Sequence, residues 1–113
     1  MATYDSLRRS RDFRVARTEG QRVTGGCLTA YACRRPDGLG PARLGLVVGA
    51  RCGGAVVRNR IKRRVRAAFF GACGASQGVD VVVYAAPGAV RAPFQDLVVA
   101  LRRALELRRE EGR

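Results

Sequence analysis

The run from Gly53 to Phe70, G-G-A-V-V-R-N-R-I-K-R-R-V-R-A-A-F-F, leaves this chain few ways to fold. Between Arg58 and Arg66 it carries six cations, and no acid falls within Ala55 to Phe70. Val57, Ile61, Val65 and Ala68 recur at the i, i+4, i+8, i+11 spacing of a single helical stripe. At about 100° per residue, Asn59, Arg60, Lys62, Arg63 and Arg66 lie across the opposite side. Arg58 and Arg64 flank the stripe, one on each side. Such a helix buries one face in a core and offers the other to a polyanion. Strand-like runs stand before and after it, so the fold has to pass from strand to strand across it.

The whole chain is short enough for one domain, 1–113, with 1–6 and 109–113 expected as loose ends. Its net charge of +13 and pI near 11.4 make the folded state repel itself unless a partner neutralises it. Nucleic acid is the usual partner and a membrane surface the second choice. Of the 22 cations only Lys62 is lysine. A GC-rich genome explains that ratio, given the abundant Ala, Gly, Val and Arg, but not the net charge. With no histidine, the usual general base and the commonest metal ligand are missing. Cys27, Cys33, Cys52 and Cys73 form no C-x-x-C pair and read as reduced core or surface residues. No stretch reaches the roughly 18 apolar residues of a membrane span. The first residues carry no apolar signal region. A cytoplasmic protein is expected.

In chain order, Ser10 is placed to cap a helix from Arg11 to about Glu19, with Gly20 as its stop. Arg22 to Gly26 reads as a connection with a turn at Gly25-Gly26. Cys27 to Arg34 reads as a strand, with Cys27, Thr29, Tyr31 and Cys33 on one face and Leu28, Ala30 and Ala32 on the other. Both faces are partly apolar, so the pattern leaves open which one is buried. R-P-D-G at Arg35 to Gly38 signals a turn. The next strand, Arg43 to Ala50, puts Leu44, Leu46 and Val48 together. Strand, turn and strand predict an antiparallel hairpin. Gly71 to Gly78 is a glycine-rich exit from the basic helix, and Val79 to Ala85 is the most strand-like run of all. A parallel βαβ unit across Leu44 to Ala85 follows. Pro87 and Gly88 end it. Pro93 then opens a last helix with Phe94, Leu97, Val98, Leu101 and Leu105 as its stripe, fading into the charged tail Arg108 to Arg113.

No constellation looks catalytic. Without histidine a nucleophile lacks its usual base. The nine acids are scattered, and none forms the close pair of a two-metal site. The glycine pairs are not a phosphate loop, because no G-K-[ST] follows them. The chain binds rather than cuts, and Arg58 to Arg66 is the binding element. Phe13 and Tyr31 are further candidates, as flat surfaces for unpaired bases.

At R-N-R-I-K-R, Arg58 to Arg63, the chain resembles the protein subunit of bacterial ribonuclease P. That family carries R-N-R-x-K-R on a helix after a G-L-x-V strand, here L-G-L-V-V at Leu44 to Val48. Gly53 to Val57 is similar to the family's G-x-A-V. Leu7, Asp12-Phe13 and Gly20 match its N-terminal block, so the resemblance spans about Leu7 to Leu105. It implies an α/β (α+β) two-layer sandwich of order αβββαβα, ribosomal-protein-S5-domain-2-like, with one short strand near Val23. It also implies a left-handed βαβ crossover around the R-N-R helix, where strand twist favours the right-handed one in about 98% of cases.

The resemblance further implies that an RNA, with magnesium, cuts precursor tRNA to free the mature 5′ end. The protein itself would bind no cofactor or metal and supply no catalytic residue. Its partners would be the catalytic RNA and the 5′ leader of precursor tRNA, with no membrane and no DNA. Carried over by position, the RNA-docking residues are Arg58, Asn59, Arg60, Lys62, Arg63 and Arg66. Asn59 either reads a base edge or caps the helix start. The leader cleft, between the first helix and the sheet, takes Phe13, Arg17, Thr29 and Tyr31.

Three departures stand out. Arg17 replaces a frequent second aromatic four residues after Phe13, so that either its guanidinium stacks instead or the leader is held less tightly. Ala50 and Arg51 stand where lysines commonly follow the strand, and Ala86 where a basic residue often precedes the Pro loop. The alternative function is a structural RNA-binding protein of ribosomal type without a role in cleavage. It predicts neither R-N-R-I-K-R after a strand nor an aromatic cleft. A DNA-binding repressor would need a helix–turn–helix neighbour, which the flanking strands deny.

Overall fold

In the computed structural model, which describes the backbone of residues 4–74 and 76–111 and side chains up to residue 106, the valine run takes the centre of the sheet. This strand, Val79–Ala85, is buried on both faces from Val79 to Val83, as a doubly covered strand is. The described residues form five strands: β1 (Tyr4–Ser6), β2 (Gln21–Gly25), β3 (Leu28–Arg34), β4 (Ala42–Val48) and β5 (Val79–Ala85). They lie in the order β1-β4-β5-β3-β2. β4 runs parallel to β5 and to β1, while β3 runs antiparallel to β5 and to β2.

Three helices cover the sheet: α1 (Ser10–Glu19), α2 (Ala55–Cys73) and α3 (Phe94–Glu111). On one face α2 and α3 place Ile61, Val65, Phe69, Leu97 and Leu101 over Val81 and Val83, all fully buried. Leu28, Ala30 and Ala32 of β3 join this core, which settles the face that the sequence left open. On the other face the shorter α1 seals Val82 with Leu7 and Ala16. The expected order αβββαβα is therefore present, preceded by β1, and α2 is the connection between the parallel strands β4 and β5.

The predicted hairpin is not formed. The turn closes, with the Gly38 N–H donating to the Arg35 carbonyl at 3.0 Å, but β5 lies between β3 and β4. A turn signal fixes reversal of direction, not adjacency. Adjacency went to the strand with the most apolar surface to bury. Arg35 shapes the crossing loop. Its guanidinium donates to the carbonyls of Leu39, Pro41 (2.8 Å) and Val79 (3.3 Å).

Other boundaries also move. Of the loose end expected over 1–6, residues 1–3 lie outside the described residues and Tyr4–Ser6 is a strand, paired in parallel with Ala42 to Leu44. It is held there because the Tyr4 ring stands edge-on to Phe69, with centroids 5.0 Å apart. Arg22 to Gly26 is mostly strand β2, the short strand that the family resemblance implied near Val23. Its turn to β3 is Gly26-Cys27, both at positive φ (60° and 63°). Cys27 is thus a turn residue, not the first of the strand. Two residues at positive φ make the mirror-type turn whose twist suits a hairpin.

Ser10 does not cap α1 but opens it. Arg9 holds the cap position, without a side-chain bond. α2 continues past Phe70 to Cys73, so Gly71 is helical rather than part of an exit loop. Phe94 leaves the predicted stripe of α3 and is 45% exposed, while Leu97 and Val98 just after it are buried. The expected tail is helical as far as Glu111, and residues 112 and 113 lie outside the described residues.

Candidate RNA interface

α2 sorts its residues as the spacing predicted. Ile61, Val65, Ala68 and Phe69 are buried, while Asn59, Arg60, Arg63 and Arg66 are exposed and Lys62 half-buried. The helix starts at Ala55 with Gly54 as its cap. Asn59 therefore sits beyond the first turn and does not cap the helix. Its side chain belongs to the outward face. Arg58 is half-buried at the edge, with its Nε sealed away from solvent and without a hydrogen-bond partner. Arg64 turns inward and clamps the short helical turn Pro87–Val90 by donating to the carbonyls of Ala89 and Ala92. Two flanking arginines thus serve different ends, one at the rim of the cationic face and one as a brace behind it.

Tyr4 reinforces this helix from below. Its hydroxyl lies 3.5 Å from the Arg66 carbonyl. Burial pushes its pKa above the ordinary 10.0, and the nearby Arg66 charge pulls it partly back.

The second surface lies under α1. Gly45 in β4 has no side chain, and a Cβ there would stand 2.7 Å from ring atoms of Phe13. The missing side chain lets the Phe13 ring lie against the sheet. Beside it in β5 is Tyr84, half-buried, with the Arg17 guanidinium 5.4 Å from its ring centroid. Next in β3 comes Tyr31, edge-on to Tyr84 at 5.9 Å. Thr29 is the register partner of Tyr84. Phe13 and Arg17 of α1 are therefore brought to the same face of the sheet as Thr29 and Tyr31 of β3, with Tyr84 of β5 between them. The recess that opens on this row, about 380 Å³, is lined by Arg8, Ser10, Phe13, Arg14, Arg17 and Tyr84. Thr29 and Tyr31 stand behind Tyr84 rather than in the recess wall. The lining contains three arginines and no acid.

Sequence reasoning missed Tyr84 and Gly45. The signal for Tyr84 was present: it stands near the end of the central strand on the same face as Val82, which α1 covers. Gly45 is the glycine of the G-L-x-V match, but its purpose shows only when the ring above it is known. Of the departures, Arg17 places its guanidinium over the protein's own Tyr84 ring, a cation–π contact.

At the far end of β5, Asp80 is buried and accepts from Arg35 Nη1, Arg43 Nε and Arg43 Nη2, each at 2.7 Å. Arg43 Nη2 also lies 3.8 Å from Asp12 Oδ2. The hydrogen bond to Asp80 holds the Arg43 guanidinium above its ordinary pKa. This network ties β5, β4 and the start of the crossing loop together, and through Asp12 it sets α1 over the sheet. The recess on this flank of α1 mixes signs, with Asp12, Glu19 and Asp37 among arginines. That makes it a poor match for a polyanion.

Residues 1–108 match the family described as Ribonuclease P. The chain belongs to the ribonuclease P protein family. The ribonuclease P protein component of Acidothermus cellulolyticus is 42% identical over 103 residues, covering 88% of this chain and 83% of that protein. That of Rhodococcus opacus is 36% identical over 105 residues, covering 88% and 84%. Among solved structures, the Staphylococcus aureus RNase P protein aligns with a TM-score of 0.74 at 25% identity, over 91% of this chain and 94% of that one. The RNase P protein from Thermotoga maritima gives 0.71 at 28%, over 91% and 96%. The fold is the one these ribonuclease P proteins have. The chain is a protein component of ribonuclease P, a subunit of the ribonucleoprotein endoribonuclease that matures tRNA 5′ ends, and its partner is the ribonuclease P RNA. The ribosomal-type alternative is left without support. No described helix is long and apolar enough to cross a membrane.

Proposed function

We propose that the two surfaces divide the work of this ribonuclease P subunit. The outer face of α2 docks on the catalytic RNA through Asn59, Arg60, Lys62, Arg63 and Arg66, with Arg58 at its rim. The row of Phe13, Arg17, Tyr84 and Tyr31, with Thr29 beside it, receives the single-stranded 5′ leader of precursor tRNA. The observation that carries this reading is the row itself: aromatic rings for base stacking beside a recess with three arginines and no acid. Stacking with backbone charge holds a strand without reading its sequence, as a leader of variable sequence requires.

The α1 recess and α2 lie on opposite faces of the sheet, which lets one small domain hold both ligands. Magnesium belongs to the RNA. The buried carboxylate Asp80 is already saturated by two arginines and is a poor ligand for a divalent ion. The cytoplasm, where precursor tRNA is made, is the expected site of action.

The test is 5′ cleavage of a precursor tRNA by a bacterial catalytic RNA at low magnesium, with and without the protein. The expected result is that the protein restores cleavage at the mature 5′ end. An unchanged rate would overturn the reading. Tyr31→Ala and Tyr84→Ala should each weaken precursor binding by about 1–3 kcal/mol, the scale of one lost base stack, and leave mature tRNA binding alone. Equal losses for both ligands would remove the cleft from the proposal.

A further inference from the structure

We propose that Phe70 extends the RNA-docking face of α2 by one turn and stacks on an unpaired base of the catalytic RNA. The inference rests on the docking role given to α2 above. Phe69 and Phe70 are neighbours with opposite fates. Phe69 is fully buried against Tyr4, while Phe70 is 51% exposed. On a helix, Val56, Arg60, Arg63, Ala67 and Phe70 follow one another at i, i+4, i+7, i+11 and i+14, and so form one stripe along the outer face. All five are exposed, and Val56 is 74% so. The stripe is about 21 Å long at 1.5 Å per residue. Phe70 therefore stands in line with the arginines, at the end of a face without acids.

A single exposed phenylalanine needs no explanation by itself. Its position fixes the occupant. A second copy of the chain would set two acid-free arginine stripes against each other, in a protein of net charge +13, and like charges in that arrangement repel. RNA supplies the opposite charge to the arginines and π-faces to the ring. Stacking also tolerates any base.

The test compares Phe70→Ala, Phe70→Leu, Phe70→Tyr and Arg63→Ala in equilibrium binding to the ribonuclease P RNA over a range of salt. Phe70→Ala should bind about tenfold or more weakly, as for one lost stack, while its dependence on log salt is unchanged. Phe70→Leu should lose comparably and Phe70→Tyr should bind like the parent. Arg63→Ala should weaken binding and lower the salt slope by about one. Because Phe70 is exposed, all Phe70 variants should melt like the parent. Parent-like binding by Phe70→Ala, with a loss for Arg63→Ala, overturns the stacking of Phe70 and leaves the docking helix standing. No loss in either variant overturns the docking helix itself. Full rescue by leucine overturns stacking in favour of plain apolar burial. Self-association of the free protein that Phe70→Ala abolishes, seen by sedimentation, would assign the face to a second copy.

Discussion

Removing the Asp80 carboxylate should be the most damaging single change on the α1 side of the sheet. Asp80→Ala deletes three charge-assisted bonds of 2.7 Å, one from Arg35 and two from Arg43. At about 1.5–3 kcal/mol each they would sum to well over 4 kcal/mol. Two features reduce this. The Arg43 side chain is 30% exposed and regains water, and Arg35 keeps its bonds to the carbonyls of Val79, Leu39 and Pro41. The cost therefore lies between the 0–1 kcal/mol or so of an exposed pair and the roughly 3–5 kcal/mol of a broken buried one. We expect about 3 kcal/mol, which for a domain of this size lowers Tm by about 10 °C. Asp80→Asn keeps one acceptor oxygen and should cost about half as much. Urea and thermal unfolding measure both. Amide exchange at Gly38, whose N–H bonds the Arg35 carbonyl, reports on the crossing loop. If Asp80→Ala unfolds within about 0.5 kcal/mol of the parent, a surface-pair value, the network does not hold β4, β5 and the crossing loop together as argued.

Four further outcomes are expected. Arg60→Ala and Arg63→Ala should each weaken assembly with the catalytic RNA by about 1–3 kcal/mol; unchanged affinity at moderate salt would argue against docking by α2. Gly45→Ala puts a methyl 2.7 Å from the Phe13 ring, so the flexible ring should swing out. Precursor binding should fall while the melting point moves little, and a precursor affinity equal to that of the parent would show that Phe13 does not need the sheet beneath it. Cys27 has φ 63°, a conformation costing a side chain about 1–2 kcal/mol. Cys27→Gly should accordingly raise stability by about 1 kcal/mol, as read by urea unfolding, and a loss would mean that the thiol packs usefully against Gly88.

The last concerns pH. Burial raises the folded-state pKa of Tyr4 above 10.0, so the unfolded chain gives up that proton first. The contribution of Tyr4 to stability should be complete below about pH 10 and lost as pH rises through the folded-state value. Unfolding of Tyr4→Phe should lack that decline, and an identical decline in the variant would assign it to other groups.

The pattern of the chain by itself determined α2, β5 and the crossover between them. These rest on local periodicity, a 3.6-residue stripe of Ile61, Val65 and Ala68 and a run of valines, and such signals survive without tertiary context. The R-N-R-I-K-R string also determined the family, and with it the positions to watch. Which strands are neighbours was decided only by the tertiary structure. The turn at Arg35 to Gly38 formed as written, yet β5 displaced the hairpin, because a strand that buries Val81 and Val83 on one face and Val82 on the other gains most from a central place.

The cleft divides in the same way. Phe13, Arg17, Thr29 and Tyr31 were readable by position, but Tyr84 and Gly45 acquire meaning only when α1 lies across β4 and β5. β1 is the plainest case. Three residues without a pattern become a strand because Tyr4 finds Phe69, a contact spanning more than sixty positions that no local signal encodes.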